Sequence, residues 1–157
     1  LLVGGEQERS RRAGTENVAG IVGFGAAAAA ASLSPGDGER RLTEAVLSAV
    51  AAVDGVRVYG DPADRLPHIV CLGVDGVEAE AVLLGLDQAG IAVHSGSACS
   101  SESLEPSPVL EAMGVEAERS LRVSVGWSTT TADIDAFTSA LPKVVTHLRL
   151  LRESGTS

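Results

Sequence analysis

Stripes of apolar residues predict most of the helices in this chain. Residues 18–31 are apolar nearly all round, which is typical of a buried helix, and Thr15 is placed to cap its N-terminus. Residues 39–53 and 78–89 carry apolar positions three and four apart, so each is expected to form a helix with one buried face. Gly90 should end the second of these two helices.

The C-terminal part of the chain predicts one short and one long helix. Residues 106–113 can form the short one. The long helix should follow Thr130, which has Asp133 three residues further on, an arrangement similar to a capping box. Its apolar stripe extends to Leu151, and Pro142 inside the stripe should kink the helix or split it in two.

Four short segments have the apolar character of β-strands. The segment around Arg122 alternates apolar and polar residues, so Arg122 should lie on the polar face of its strand. The segment around Cys71 is almost continuously apolar, which predicts a strand covered on both faces with Cys71 in the core. Helices and strands mix without regular βαβ alternation, so we expect a small α/β (α+β) domain with helices packed mainly on one side of a sheet. The predicted strands are residues 56–59, 68–74, 91–94 and 119–125.

Composition narrows the class of protein. A chain of 157 residues suits one domain with a real core, and 45% hydrophobic residues exclude disorder for most of it. Its 12 Lys and Arg against 21 Asp and Glu give a formal net charge of -9, which disfavours binding to nucleic acid.

The longest apolar run, residues 21–31, is too short to span a bilayer. The chain begins with Leu, and its single methionine is Met113, so we expect a processed protein or a piece of a longer one.

The two cysteines favour a cytoplasmic location and argue against a metal site. Cys71 and Cys99 could form one disulfide, but acidic enzymes of this size are more often cytoplasmic, with reduced thiols. No metal site is expected, because the two cysteines lie far apart and no CxxC motif is present.

Cys99 is the first candidate for chemistry. It follows a predicted strand in a run of small residues, where a thiol can be exposed. A nucleophilic thiol needs a base or a cation nearby, and His94 is the nearest in sequence. An inert side chain in a loop fits the same pattern. His68 and His147 are interpreted as structural.

Two further positions could hold an anion. The guanidinium of Arg122 can bind a carboxylate bidentately, although a solvated strand arginine has the same pattern. Gly14 and Thr15 precede a predicted helix and could offer backbone N–H groups and a hydroxyl to an anion, although an ordinary N-cap explains them as well.

Three segments together resemble a known family. GGEQERSRRAGTENVAGIVGFG (residues 4–25), HSGSACSSESLEPSPVL (94–110) and SLRVSVGWSTTTADIDAF (120–137) occur in the order found in the C-terminal part of the NifS/IscS-like cysteine desulfurases, which are class-V aminotransferases. The intervening RLPHIVCLGVDGVEAEAVLLGLDQAGIAV is also similar to that family. The resemblance therefore covers nearly the whole chain.

The resemblance implies a fold, an activity and a set of partners. The family has the aspartate-aminotransferase fold (fold type I), binds pyridoxal phosphate, is normally homodimeric and converts L-cysteine to L-alanine. Sulfur passes to an enzyme cysteine as a persulfide and then to iron–sulfur scaffolds or other acceptors. By position, Cys99 matches the sulfur-accepting nucleophile, Arg122 the arginine that holds the substrate carboxylate, and Thr15 the threonine that reaches the cofactor phosphate of the neighbouring subunit. Residues 100–107 match the mobile loop that carries the nucleophile.

The chain departs from the family pattern at several points. Trp127 stands where arginine is common, and His94 where a small residue is common. The segment with the Schiff-base lysine is absent, and the single lysine, Lys143, lies in the predicted C-terminal helix. We therefore expect residues 1–34 to be the end of a large domain with a linker helix, 35–152 the small C-terminal domain and 153–157 a tail. The isolated chain is expected to be inactive.

Two other interpretations remain open. The chain could be a non-catalytic sulfur carrier or interaction module whose Cys99 segment docks on a scaffold. It could also be one half of a split enzyme whose lysine-bearing half is a separate polypeptide.

Overall fold

The computed structural model describes residues 3–31, 36–96 and 107–155. They belong to two compact units, Leu1–Ser34 and Pro35–Ser157. No helix in these described ranges is both long enough and apolar enough to cross a membrane.

The first unit contains a one-turn helix, α1 (Gln7–Ser10), and the longer helix α2 (Val18–Ala30). In α1 the backbone of Glu8 and Arg9 is left-handed, with φ of 55° and 58°. Asn17 caps α2, and its side-chain oxygen accepts a hydrogen bond from the backbone N–H of Gly20 at 3.0 Å.

Two expectations for α2 were wrong. Asn17 and not Thr15 is the N-cap, because Thr15 lies three residues before the first helical residue, too far to reach the free N–H groups of the first turn. The helix was predicted to be buried, yet none of its residues is buried, and Phe24 is 78% exposed. Apolar composition all round a helix indicates that it needs a covering, and the described residues do not provide one.

The second unit is built on a four-stranded antiparallel sheet with the strand order β1-β2-β4-β3. The third strand is shorter than expected from residues 91–94. Ile91 still donates its N–H to the carbonyl of Leu86 and so completes the end of the preceding helix, which delays the strand by three residues. The strands are β1 (Val56–Tyr59), β2 (Ile69–Val74), β3 (His94–Ser95) and β4 (Ser120–Ser124).

Helices cover one face of this sheet and form the core with it. Leu72 of β2 and Leu121 of β4 are fully buried against helical residues such as Val46 and Leu86. Burying such apolar side chains supplies most of the stability of the unit. These helices are α3 (Asp37–Val50), α4 (Ala79–Gln88) and α6 (Thr131–Ser154). The short helix α5 (Pro108–Ala112) and a 3-10 turn at Ala117–Arg119 precede β4.

The long helix α6 begins where the sequence predicted, but the predictions for Pro142 and for the end of its buried stripe were wrong in part. Thr130 and Asp133 form a complete capping box. Pro142 neither splits nor ends the helix, which continues from residue 131 to 154. The flanking Leu141 and Val145 are each 1% exposed, so packing of the helix against the core offsets the hydrogen bond that proline removes. Leu151 lies outside the buried stripe and is 54% exposed.

The other face of the sheet is not covered by α3, α4 or α6, although Leu110 of α5 lies close to Gly96 and Ser120 at its edge; we call it the open face. Burial alternates over the first part of β2, where Val70 and Leu72 are buried and Cys71 is only partly buried, whereas Gly73 and Val74 are both buried. The prediction of a strand covered on both faces, with Cys71 in the core, was therefore wrong. A strand near the middle of a small sheet can be apolar throughout without having helices on both sides.

Candidate functional site

One row of side chains crosses the open face of the sheet. Tyr59 of β1 pairs with Cys71 of β2, Cys71 pairs with Arg122 of β4, and Arg122 pairs with His94 of β3. Residues directly opposite each other in an antiparallel sheet point to the same face, with Cβ atoms about 4.5–5.5 Å apart. We call these four residues the Arg122 row.

Arg122 is the cation of this row. It is partly buried, and in the part of the chain that the structure describes no carboxylate lies within ion-pair distance of its guanidinium. Two other arginines of the same unit differ in this respect, since Arg57 pairs with Asp75 and Arg119 with Glu116. A planar guanidinium with free donors is suited to a carboxylate ligand.

Cys71 lies on one side of Arg122. Burial raises the pKa of the Cys71 thiol, while the charge of Arg122 and a hydrogen bond with the backbone of Leu72 act in the opposite direction. The net effect is a raised pKa, so the thiol is neutral near pH 7. Cys71 therefore leaves the positive charge of Arg122 uncompensated.

His94 lies on the other side of Arg122 and is exposed. Its Nδ1 atom is 3.2 Å from the carbonyl oxygen of Ser95. A carbonyl oxygen only accepts, so this contact is a hydrogen bond in the tautomer whose proton is on Nδ1. In the neutral ring Nε2 is then a bare acceptor.

Tyr59 closes the row at the edge of the sheet. Its hydroxyl lies over Gly73, where a Cβ would collide with the phenol oxygen and its ring. Burial raises the pKa of the Tyr59 phenol, with a smaller opposing effect from Arg57. Gly73 is thus required here to give space to a neighbouring side chain, since its own φ is not in the left-handed region.

The other two site residues predicted from the sequence do not belong to this row. Cys99 lies outside the described residues. Thr15 is exposed and belongs to the first unit, where it follows Gly14, whose φ is +93°. Arg12 donates a hydrogen bond of 2.6 Å to the carbonyl of Gly14, which leaves that turn beside a positive charge. The structure places Arg122 and Thr15 in separate units, and their joint action stays a prediction.

Lys143 is the single lysine of the sequence, and it is not part of the Arg122 row. It lies on α6 and lines a groove of about 410 Å³ with Gly85, Val144 and Leu151. That groove belongs to the helical layer, which packs on the opposite face of the sheet from Arg122. The residues present can therefore bind a carboxylate, but they do not fit the lysine linkage of a pyridoxal-phosphate site.

Sequence reasoning missed the pairing of His94 with Arg122. The residue was noted only for its closeness to Cys99 in the sequence. A pairing between strands depends on register, and β3 is only two residues long, so no periodic pattern could have indicated it.

Comparison with known proteins finds one family. The model of the aminotransferase class-V family matches residues 4–137. A cysteine desulfurase from Cereibacter sphaeroides is 44% identical over 159 residues, which cover 99% of this chain and 41% of that protein. A cysteine desulfurase IscS from Methanosarcina thermophila is 41% identical over 155 residues, which cover 95% of this chain and 38% of that protein.

The solved structures agree with these relatives. A NifS-like protein from Rickettsia africae matches with a TM-score of 0.76 and 33% identity, over 92% of this chain and 39% of that one. The expected fold, the small-domain part of fold type I, is confirmed by this match. The chain spans about two fifths of the length of the relatives it matches.

Proposed function

Because this chain belongs to the aminotransferase class-V family, we propose that it is the C-terminal portion of a cysteine desulfurase. The complete enzyme would convert L-cysteine and an enzyme thiol to L-alanine and an enzyme persulfide. In that reaction one sulfur atom moves, a C–S bond and a thiol S–H bond break, and an S–S bond and a C–H bond form. No outside oxidant or reductant is needed for the balance.

One structural observation carries the proposal: the guanidinium of Arg122 lies on the open face of the sheet and forms no ion pair with a carboxylate of the described residues. Leaving a partly buried cation without a partner costs free energy, and a substrate carboxylate would remove that cost. The backbone of Arg122 is fixed because β4 lies between two neighbouring strands. A fixed guanidinium would hold the amino acid in one orientation.

Cys99 is the proposed sulfur acceptor. Support comes from its place in the segment that resembles the nucleophile loop of the family, and from the 44% identity to a protein named cysteine desulfurase. The remaining thiol, Cys71, is a poor alternative because burial keeps its pKa high and its thiolate fraction low.

Pyridoxal phosphate is the proposed cofactor of the complete enzyme, and it would supply an electron sink for breaking the C–S bond. Within this chain Thr15 is the proposed phosphate contact. A lysine for the Schiff base has to come from outside the chain, because Lys143 lies on the helical side of the sheet. We therefore propose that the isolated chain does not desulfurate cysteine.

The remaining parts of the proposal follow the family resemblance. Residues 1–34 would be the end of a large domain and a linker helix, and the exposed apolar surface of α2 is consistent with a covering absent from the described residues. A homodimer, a sulfur-acceptor or iron–sulfur scaffold protein as partner, and a cytoplasmic location belong to the same proposal.

The proposal is tested by assaying the native protein that contains this chain. The protein is captured from source cells with an antibody raised against residues 36–96 and incubated with L-cysteine and dithiothreitol. We expect alanine and sulfide in equal amounts, and neither product from the isolated chain under the same conditions. Capture of a protein that forms no alanine would contradict the proposal. A captured protein of the same size as this chain that accepts sulfur without releasing alanine would favour a carrier.

A further inference from the structure

The end of β3 packs closely against β4. Gly96 directly follows β3 and donates its backbone N–H to the carbonyl oxygen of Ser120 at 2.7 Å. A Cβ atom at position 96 would overlap the hydroxyl of Ser120 and would lie 2.8 Å from Cδ1 of Leu110. The backbone of Gly96 is not left-handed, so the close approach of these two side chains is what requires glycine here.

Both side chains that crowd Gly96 are held in place. Ser120 is fully buried, and its hydroxyl donates a hydrogen bond of 2.7 Å to the carbonyl of Ala117. Turning this hydroxyl away would leave a buried donor unsatisfied, which costs free energy. Leu110 is 6% exposed, so it has little space to move into. We call Gly96, Leu110 and Ser120 the Gly96 anchor.

The Gly96 anchor lies near the residue that is proposed to hold the substrate. Ser120 precedes Arg122 by two positions in β4, which corresponds to about 7 Å along a strand. Residues two positions apart in a strand face the same way, so the anchor and Arg122 share the open face of the sheet. The anchor is therefore a fixed point beside the proposed substrate site.

The same anchor is close to Cys99 along the chain. Cys99 follows Gly96 by three residues, and a chain of that length spans at most about 11 Å. Leu110 follows Cys99 by eleven residues, a length that can span roughly 40 Å. The covalent link to Gly96 is thus the tighter limit on where the Cys99 thiol can act, and covalent length alone sets it.

We propose that Gly96 is a positioning residue for the sulfur transfer. Its contacts with Ser120 and Leu110 fix the point from which Cys99 reaches an amino acid bound at Arg122. This inference rests on the proposed function of Cys99 and Arg122. It adds that the rate of transfer depends on where the link to Cys99 begins and on how long that link is.

Kinetics of the complete holoenzyme test the proposal. Gly96→Ala should lower kcat for alanine formation roughly 10- to 100-fold, because the new methyl group displaces the start of the link to Cys99. KM for L-cysteine should stay within about twofold, since Arg122 keeps its place in β4. Gly126→Ala is the matched control, because a Cβ there meets no atom within 4 Å, and its kcat should be unchanged.

A compensating substitution separates positioning from a general loss of stability. Ser120→Gly removes the hydroxyl and the Cβ that obstruct a methyl group at position 96, although it also gives up the hydrogen bond to Ala117. Combining it with Gly96→Ala should raise kcat above that of Gly96→Ala alone, whereas two independent losses of stability would add.

A change of length tests the link without touching the anchor, and it applies even if Gly96→Ala does not fold. Two glycines inserted directly after Gly96 should lower kcat roughly tenfold, because the thiol is then held less closely to the substrate. In a Cys71→Ser background, the alkylation of Cys99 by iodoacetamide should proceed at an unchanged rate, since the thiol itself is unaltered.

Each contrary result identifies the claim that it overturns. An unchanged kcat in Gly96→Ala or in the insertion variant would contradict the role of Gly96, as would an equal loss in Gly126→Ala. A rise in KM as large as the fall in kcat, or a double variant no faster than Gly96→Ala, would also contradict it. If the unaltered complete enzyme forms no alanine, the proposed function itself is contradicted.

Discussion

Arg122 of β4 stands directly opposite Cys71 of β2, and its guanidinium charge opposes the rise in the thiol pKa that burial causes. Burial and the charge of Arg122 thus act in opposite directions on the pKa of one thiol, which lies on the open face of the sheet. Burial is the larger of them, so Cys71 remains protonated where an ordinary thiol begins to ionise.

The contact between Arg122 and Cys71 should determine how the alkylation rate of the Cys71 thiol depends on pH. In a Cys99→Ala background, the rate of alkylation by iodoacetamide should rise with a midpoint above the ordinary thiol value of about 8.5. Arg122→Gln should move that midpoint higher still, because removing a positive charge disfavours the thiolate. Arg57→Gln is the matched control, since Arg57 acts on Tyr59 and is paired with Asp75. A midpoint that falls in Arg122→Gln would contradict the assigned interaction.

Arg122 should also determine substrate affinity in the complete enzyme. Arg122→Gln should raise KM for L-cysteine roughly 10- to 150-fold, which corresponds to the ~1.5–3 kcal/mol of a hydrogen-bonded charged pair. Steady-state kinetics of the purified holoenzyme measure this change. Arg119→Gln, which removes a cation already paired with Glu116, should leave KM within about twofold. Equal KM values for both variants would remove Arg122 from the substrate site.

Gly73 should be intolerant of a side chain. Gly73→Ala should lower the free energy of unfolding by roughly 1–3 kcal/mol, because the new methyl group collides with the Tyr59 phenol. Urea denaturation measures the loss, and a Tyr59→Ala background should reduce it. Gly38→Ala in α3 is the control, since a Cβ there meets no atom within 4 Å. An equal loss in both Tyr59 backgrounds would show that the phenol is not the obstacle.

Local sequence patterns predicted where the helices and strands of this chain lie better than they predicted what packs against them. The alternation in β4 correctly put Arg122 on the face away from the core, and the capping box at Thr130 correctly started α6. Both depend on residues a few positions apart. Thr15 was misjudged as a cap because a better capping residue, Asn17, follows it closely.

Burial and cross-strand pairing could not be predicted in the same way. Cys71 occupies a strand that is apolar on both faces, yet α3, α4 and α6 pack against the face that Cys71 does not point to. Pro142 stays within an unbroken helix because tertiary packing offsets its local cost. The neighbours of Arg122 on either side are set by register, which is a property of the folded sheet.

In the complete enzyme the sulfur-accepting thiol should belong to this chain, and mass spectrometry of the intact modified peptides tests that role. The complete native enzyme is exposed to one equivalent of L-cysteine, blocked with an alkylating reagent and digested. An added sulfur atom, about 32 Da, is expected on the peptide containing Cys99. It should persist in Cys71→Ser and disappear in Cys99→Ala, with cofactor absorbance retained. Sulfur found on Cys71, or alanine formed at the normal rate by Cys99→Ala, would contradict it.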